Sequence, residues 1–294
     1  MQGKQISRQM TSADWYRSLK ADADSYFQAF TAYRKRTDRH KNTLQMFSDA
    51  VPSLIIDNKD NNDKSVFEYL GVGCGAGLSD LTLLRQLRRR FPSIKATMVE
   101  PSSKFLEEFN QNRANIPNDL DDVTFDCRQA TFDEYQQSCE GARFDCVCGI
   151  SVLEYVEDID RMISWMYSAL KENGSLVLFF TSENNVLLKF WTHSDQRDIH
   201  LIKPSLVEKL LEKHNVRKID RLELDSTINI TECFEETSEA GSRLLDFVTH
   251  AASFRRSAPT EILREVLDYL SRNSVRKDDG IYAPNNYTCL VVQK

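Results

Sequence analysis

Between residues 65 and 182, short apolar runs of strand character alternate with segments whose apolar residues fall at three- and four-residue spacing. "SVFEYLGVG" is the first run, and a helix is predicted over 78–91 behind it. "IKATMVE" closes a second strand on Glu100, and "SSKFLEEFNQNRA" opens with serines suited to a helix N-terminus. "VTFDCRQA" and "FDCVCGISV" read as the third and fourth strands, followed by the helix "RMISWMYSALK". The Asn173-Gly174 turn introduces a fifth strand, "GSLVLFFTS". Strands and helices alternating in this way predict an α/β fold, a mostly parallel sheet covered on both faces.

The flanks follow another rhythm. Within 11–50, "DWYRSLKADADSYFQAFTAYRKRTDRHKNTLQMF" has helical spacing, and the polar run Ile56 to Lys64 is a loop. Beyond residue 182, "NNVLLKFWTHSDQRDIHL" predicts an irregular or helical insertion, and "PSLVEKLLEKHN" a helix. "VRKIDRLELD" and "NYTCLVVQ" are strands, separated by a helical segment over 239–272. That segment is too long for a hairpin loop, which makes it a candidate cover for a site.

Composition narrows the class. With 41% hydrophobic and 28% charged residues, the 294-residue chain can bury a core and stay soluble. A net charge of −6 and the lack of a long basic block argue against nucleic-acid partners. Arg85 to Arg90, the densest basic patch, is read as the solvated end of a helix. No apolar signal region opens the chain and no apolar run approaches membrane-spanning length, so a cytoplasmic protein without membrane partners is expected. The seven cysteines lack paired metal spacings, and Cys146 and Cys148 alternate along a strand as small hydrophobes. No metal is expected.

Gly73, Gly75 and Gly77 end the first strand, where bare backbone can turn tightly and approach a ligand. The following helix turns its free N–H groups toward the same place. A pyrophosphate site would show G-x-G-x-x-G; here the third glycine comes one residue early, which suits a ligand without phosphates, a nucleoside with an amino-acid tail. Glu100 ends the next strand, where a carboxylate can accept both ribose hydroxyls. "FDCVCGISVLEYVEDI" passes from small residues at a strand end to Glu154 and Tyr155. The carboxyl ends of adjacent strands form the ligand crevice of an open α/β sheet, so the three features converge on one edge.

Together they resemble the class I S-adenosylmethionine-dependent methyltransferases, although Gly71 stands where that class usually has an acid before the glycines. "VEPSS", "FDCVCGISVLEYVEDI", "STINITECFEE", "LLDFVTHAASF" and "NNYTCLVV" further resemble, in order, the histamine N-methyltransferase family over about residues 20–294. The resemblance implies a Rossmann-like seven-stranded sheet that binds S-adenosylmethionine, releases S-adenosylhomocysteine, and carries a smaller lid for a small amine. On that basis residues 1–64 are N-terminal helices over the acceptor, 65–182 the donor-binding core, and 183–294 the end of the sheet with lid insertions at 183–202 and 227–280. A monomer acting on a small-molecule amine or imidazole compound is implied.

By the same resemblance Gly73, Gly75 and Gly77 face the donor's methionine tail, Glu100 its ribose, and Phe105, Thr131, Phe132 and Ile150 the rest of it. Phe105 and Phe132 replace a glutamine and a serine of the family, exchanging polar contacts for apolar packing. Tyr26, Phe30, Ser151, Tyr155, Phe190 and Phe247 would line the acceptor pocket, with Asn286 binding the acceptor and Glu154 orienting or deprotonating it. His200 is placed at the surface rather than in the pocket. Arg39 stands where the family has a glutamate for the cationic substrate, and Glu154 where it has a tyrosine. The two charges pair with each other, or hold the ends of a zwitterion such as histidine or carnosine, or Arg39 faces solvent. Two other readings stay open. One is metal-assisted O-methylation of a phenol, for which Glu154 has no partner carboxylates in its segment. The other is a ligand-binding methyltransferase fold without turnover, favoured by Gly71, Phe105 and Arg39.

Overall fold

A computed structural model describes residues 15–57, 59, 66–116, 120–139, 141–191 and 202–294, so His193, His200 and the rest of 192–201, half of the 183–202 insertion, lie outside the described residues. The five strands expected in the middle of the chain are β1 (Phe67–Val72), β2 (Ile94–Val99), β3 (Val123–Arg128), β4 (Phe144–Ile150) and β5 (Leu170–Thr181). With β6 (Lys218–Leu224) and β10 (Tyr287–Gln293) they form one seven-stranded sheet in the order β3-β2-β1-β4-β5-β10-β6. Four pairings, β3·β2, β2·β1, β1·β4 and β4·β5, are parallel. The mostly parallel sheet with helices on both faces is the expected class I fold.

By their contacts the described residues fall into two units that do not follow chain order. The sheet belongs to the unit of Thr43–Phe180, Ile202–Leu224 and Thr288–Lys294. Central parallel strands are buried on both faces and therefore read as near-continuous apolar runs; only Ile150 of β4 escapes full burial. The helix Leu78–Arg88 buries Leu81, Leu83, Leu84 and Leu87, and Ile159–Ser168 buries Met162, Ile163 and Met166. Cys146 and Cys148 are buried, as their alternation implied. Strand order reverses at β1, whose neighbours are β2 and β4, and such a switch point is where an open α/β sheet takes its ligand, at the strands' carboxyl ends. β5 starts earlier than its apolar run: Leu170 pairs with Phe144 and Ser175 with Cys146, while Asn173 takes a positive φ of 59° in the excursion between them.

The other unit comprises the described residues of Met1–Asn42, Thr181–Leu201 and Asp225–Tyr287. Its core gathers Leu19, Tyr33, Leu187, Ile228, Leu245 and Val266, among others. The helical segment expected over 239–272 is three helices, Glu239–Thr249, Phe254–Ser257 and Thr260–Arg272. It breaks where His250 and Ser253 adopt positive φ and where Pro259 enters. An antiparallel sheet of β7 (Thr227–Asn229), β9 (Gly280–Pro284) and β8 (Val275–Lys277) adds three strands that the apolar pattern does not predict. Three-residue strands show no period, and β8 is exposed throughout. Among the described residues no helix is long and apolar enough to cross a membrane.

Candidate functional site

At the switch point, β1 turns into the helix Leu78–Arg88. Gly73, Gly75 and Gly77 take φ of 62°, 55° and 70°, a left-handed backbone that glycine adopts without penalty. What faces each glycine separates their roles. A Cβ on Gly73 would lie 2.5 Å from Val152, and one on Gly77 2.1 Å from Phe109, so both are bare because protein packs against them. Nothing lies within 4 Å of a Cβ on Gly75. Gly75 alone of the three turns its bare face to open space.

Glu100, 7% exposed, fixes the turn from the end of β2. One carboxylate oxygen accepts the Gly75 N–H at 3.0 Å and the other accepts the Ser102 N–H at 3.0 Å. Burial raises its pKa, against the pull of the Ser102 and Gly75 N–H groups. Each carboxylate oxygen has a second lone pair, so ribose hydroxyls can still bind. Thr131 caps the helix Phe132–Ser138 through a reciprocal bond with Glu134, and Phe132 meets Trp165 edge-on at 5.4 Å. Phe105 stands in the first turn of the helix Ser103–Ala114, its N–H on the Ser102 hydroxyl at 3.4 Å. Beyond β4, Ser151 holds a positive φ of 52° and donates its N–H to the Phe179 carbonyl at 2.6 Å. Non-glycine residues with such backbone cluster at functional sites. The turn Leu153–Tyr155 follows, with Glu154 7% and Tyr155 44% exposed.

Under the loop lies a residue the sequence did not mark. Asp80 accepts the Tyr69 hydroxyl at 2.7 Å, and burial pushes its carboxyl up to about 7, opposed by that bond and a backbone N–H. A Cβ on Gly71 would meet Asp80 Oδ1 at 2.8 Å and Met98 at 2.7 Å. The position that lacks the usual acid is therefore filled by a carboxylate from the helix.

The other unit assembles most of the expected acceptor residues. Tyr26 and Phe30 stack at 6.1 Å, and Phe30 lies 5.9 Å from Phe247. Tyr33, one helical turn on from Phe30, stacks on Phe247 at 4.4 Å and joins its hydroxyl to that of Tyr287 at 2.8 Å. Helical spacing from Tyr26 and Phe30 would have found Tyr33. The half-buried Arg39 sets its guanidinium carbon 4.4 Å from the Tyr287 ring centre, a cation–π contact, so it is more than a solvated charge. Phe190 packs against Tyr269 at 5.3 Å. Of the Asn pair, Asn286 donates to Asp225 at 3.0 Å and accepts the Ser226 N–H at 3.1 Å. Asn285 is the one in the aromatic group: fully buried, it donates to the Tyr33 and Thr37 hydroxyls at 2.9 and 2.8 Å. Glu154 and Arg39 belong to different units.

The open face of Gly75, the helix N-terminus behind it and the buried Glu100 fit a nucleoside joined to an amino acid, as in S-adenosylmethionine. Among the described residues no group of three or more His, Cys, Asp or Glu is arranged to hold a metal ion.

Residues 70–176 match a family described as a methyltransferase domain. The chain is 29% identical to histamine N-methyltransferase B of Xenopus laevis over 290 residues, 94% of this chain and 98% of the relative. It is 28% identical to histamine N-methyltransferase of Danio rerio over 291 residues, with 95% and 98% covered. The solved YcgJ protein of Bacillus subtilis aligns with a TM-score of 0.51 at 14% identity, covering 82% of this chain and 97% of that one, a likeness of fold alone.

Proposed function

We propose that this chain, a class I S-adenosylmethionine-dependent methyltransferase homologous to the histamine N-methyltransferases, methylates a nitrogen of a small amine or imidazole compound. The observation that carries the donor half is Gly75, whose bare face is open while its N–H is held by Glu100. Similarity along nearly the whole chain to the histamine N-methyltransferases supports the acceptor half.

S-adenosylmethionine, when bound, supplies an electrophilic methyl group on a positively charged sulfur. The chain's tasks are to orient the acceptor nitrogen in line with that methyl group and to exclude water. Gly73, Gly75 and Glu100 hold the tail and ribose; Phe105, Phe132 and Ile150 give apolar packing, and Thr131 holds the turn they flank. An imidazole nitrogen already has a free lone pair, whereas an alkyl ammonium must lose a proton first. Glu154 is the carboxylate that orients the acceptor or takes that proton. Acceptor binding is assigned to Tyr26, Phe30, Phe190, Phe247 and Asn286 in the one unit, and to Ser151 and Tyr155 in the sheet unit. Arg39 favours an acceptor bearing a carboxylate, since a guanidinium repels ammonium and pairs with carboxylate.

A tritiated-methyl transfer assay across histamine, histidine, carnosine and biogenic amines tests this function. Label on one or more of them is expected; label on none overturns it. Arg39→Glu is expected to weaken carboxylate-bearing acceptors about tenfold and to improve decarboxylated analogues. An unchanged order of preference would refute the role of Arg39.

A further inference from the structure

Asp80 is a buried acid that neither the ribose contact nor the acceptor uses. It stands in the first turn of the helix Leu78–Arg88, 2% exposed, directly under the loop from Gly71 to Gly77. Its charge is eased by the Tyr69 hydroxyl and a backbone N–H, and no lysine or arginine of the described residues contributes. A carboxylate kept in such a place is costly unless something positive arrives. Glycine at position 71 follows from it, since a side chain there would strike both the carboxylate and Met98.

We infer that Asp80 is a positioning residue whose carboxylate, acting from beneath the glycine loop, supplies the counter-charge to the cationic sulfur of the methyl donor. This rests on the donor reading given above. S-adenosylmethionine and S-adenosylhomocysteine share nucleoside and amino-acid tail and differ by the methyl group and by one positive charge at sulfur. A charge in a poorly polarisable interior acts across several ångströms, and here it favours the donor over the product. Asp80 would thereby help the spent ligand leave.

The test is calorimetric titration of both ligands into the full-length wild-type and Asp80→Asn chains at pH 6 and pH 8. Asparagine keeps the shape and an acceptor for the Tyr69 hydroxyl, so a purely structural role leaves the ligand preference intact. At pH 8, Asp80→Asn is expected to weaken the donor about tenfold, the order of magnitude of one opposite charge acting through a protein interior, and the product less than about twofold. The wild-type preference for donor over product should rise from pH 6 to pH 8 and stay flat in the variant.

The titratable groups around Asp80 are Tyr69 on β1, Cys146 and Cys148 on β4, Cys74 in the loop, and Glu100 beyond it at the end of β2. Burial, ahead of neighbouring charges, holds Tyr69, Cys74 and Cys148 well above their usual range, so they stay neutral in this window. Glu100 is present in both chains and is controlled by the variant. Equal losses of the two ligands, or no loss, overturn the inference. Should the variant not fold, a flat wild-type preference between pH 6 and pH 8 overturns it alone. Wild-type protein that binds neither ligand overturns the donor reading instead.

Discussion

Replacing Asp80 with asparagine is expected to stabilise the ligand-free chain in alkaline solution and to matter progressively less in acid. Burial raises the Asp80 carboxyl from 3.8 to about 7. In the unfolded chain the group ionises near 3.8, so between those values the folded state keeps a proton that the unfolded state has lost. The stability this provides is complete below 3.8 and is lost as pH rises to about 7. Over the whole span the loss is about 4 kcal/mol, at 1.36 kcal/mol per pH unit, and about 2–3 kcal/mol of it falls between pH 5 and pH 8. Asparagine is neutral at both pH values. Its second amide N–H has its own burial cost, but that cost is the same at both and cancels in the difference. Urea unfolding of both chains without ligand, followed by circular dichroism, should show the variant's relative stability rising by about 2–3 kcal/mol from pH 5 to pH 8 with unchanged m values. A gap that stays within about 1 kcal/mol would falsify the reasoning. A residue whose removal stabilises the empty protein yet weakens the donor is one retained for function.

Three further outcomes are expected. Gly75→Ala should abolish most donor binding for a modest cost in stability, about 1–2 kcal/mol for the left-handed backbone, whereas Gly77→Ala, driven into Phe109, should cost more stability. Paired calorimetry and thermal melts separate the two, and equal melting shifts would count against the assignment. Glu100→Gln should weaken donor and product alike by about 1.5–3 kcal/mol, the size of a charged hydrogen bond, because an amide –NH2 must face one of the N–H groups of Gly75 or Ser102. In the wild type, affinity should fall as acid protonates Glu100, and at a higher pH than for an ordinary glutamate, since burial raises it; an affinity flat down to pH 4 would oppose this. Cys74 should resist iodoacetamide while the less buried Cys127 reacts, read by peptide mapping; comparable rates at the two thiols would contradict its assigned environment.

The sheet was legible because β1, β2, β4 and β5 are buried on both faces and so appear as apolar runs. β7 and β8 were not, since three residues carry no period and their pairing with β9 is settled by tertiary contact. The glycine turn and the acid that fixes it were legible as three glycines and a downstream Glu100, but not the difference in what faces each glycine. That difference depends on Val152 and Phe109, side chains brought in from remote segments. Asp80 looks in sequence like any acid in a first helical turn; only the fold turns it inward against Tyr69. The Asn pair shows the same limit. Both are turn formers in sequence, and the β9–β10 connection decides that Asn285 enters the core while Asn286 binds the 225–226 backbone and side chain.

The two acids flanking the loop are maintained by different physics. Glu100 is buried but receives a backbone N–H on each oxygen, so its charge is met within the protein and is available for neutral hydroxyls. Asp80 receives one hydroxyl and a backbone N–H, too little to offset burial, so its carboxyl is raised to about 7. Between them lies Cys74, whose thiol is pushed well above its ordinary range first by burial, then by Asp80 and Glu100. A thiolate at that position would be a nucleophile in the loop proposed to hold an electrophilic methyl donor. Burial first, and the two acids second, keep that thiol protonated, so on the proposed donor reading the acids that would suit a cationic donor also add to the protection of the loop.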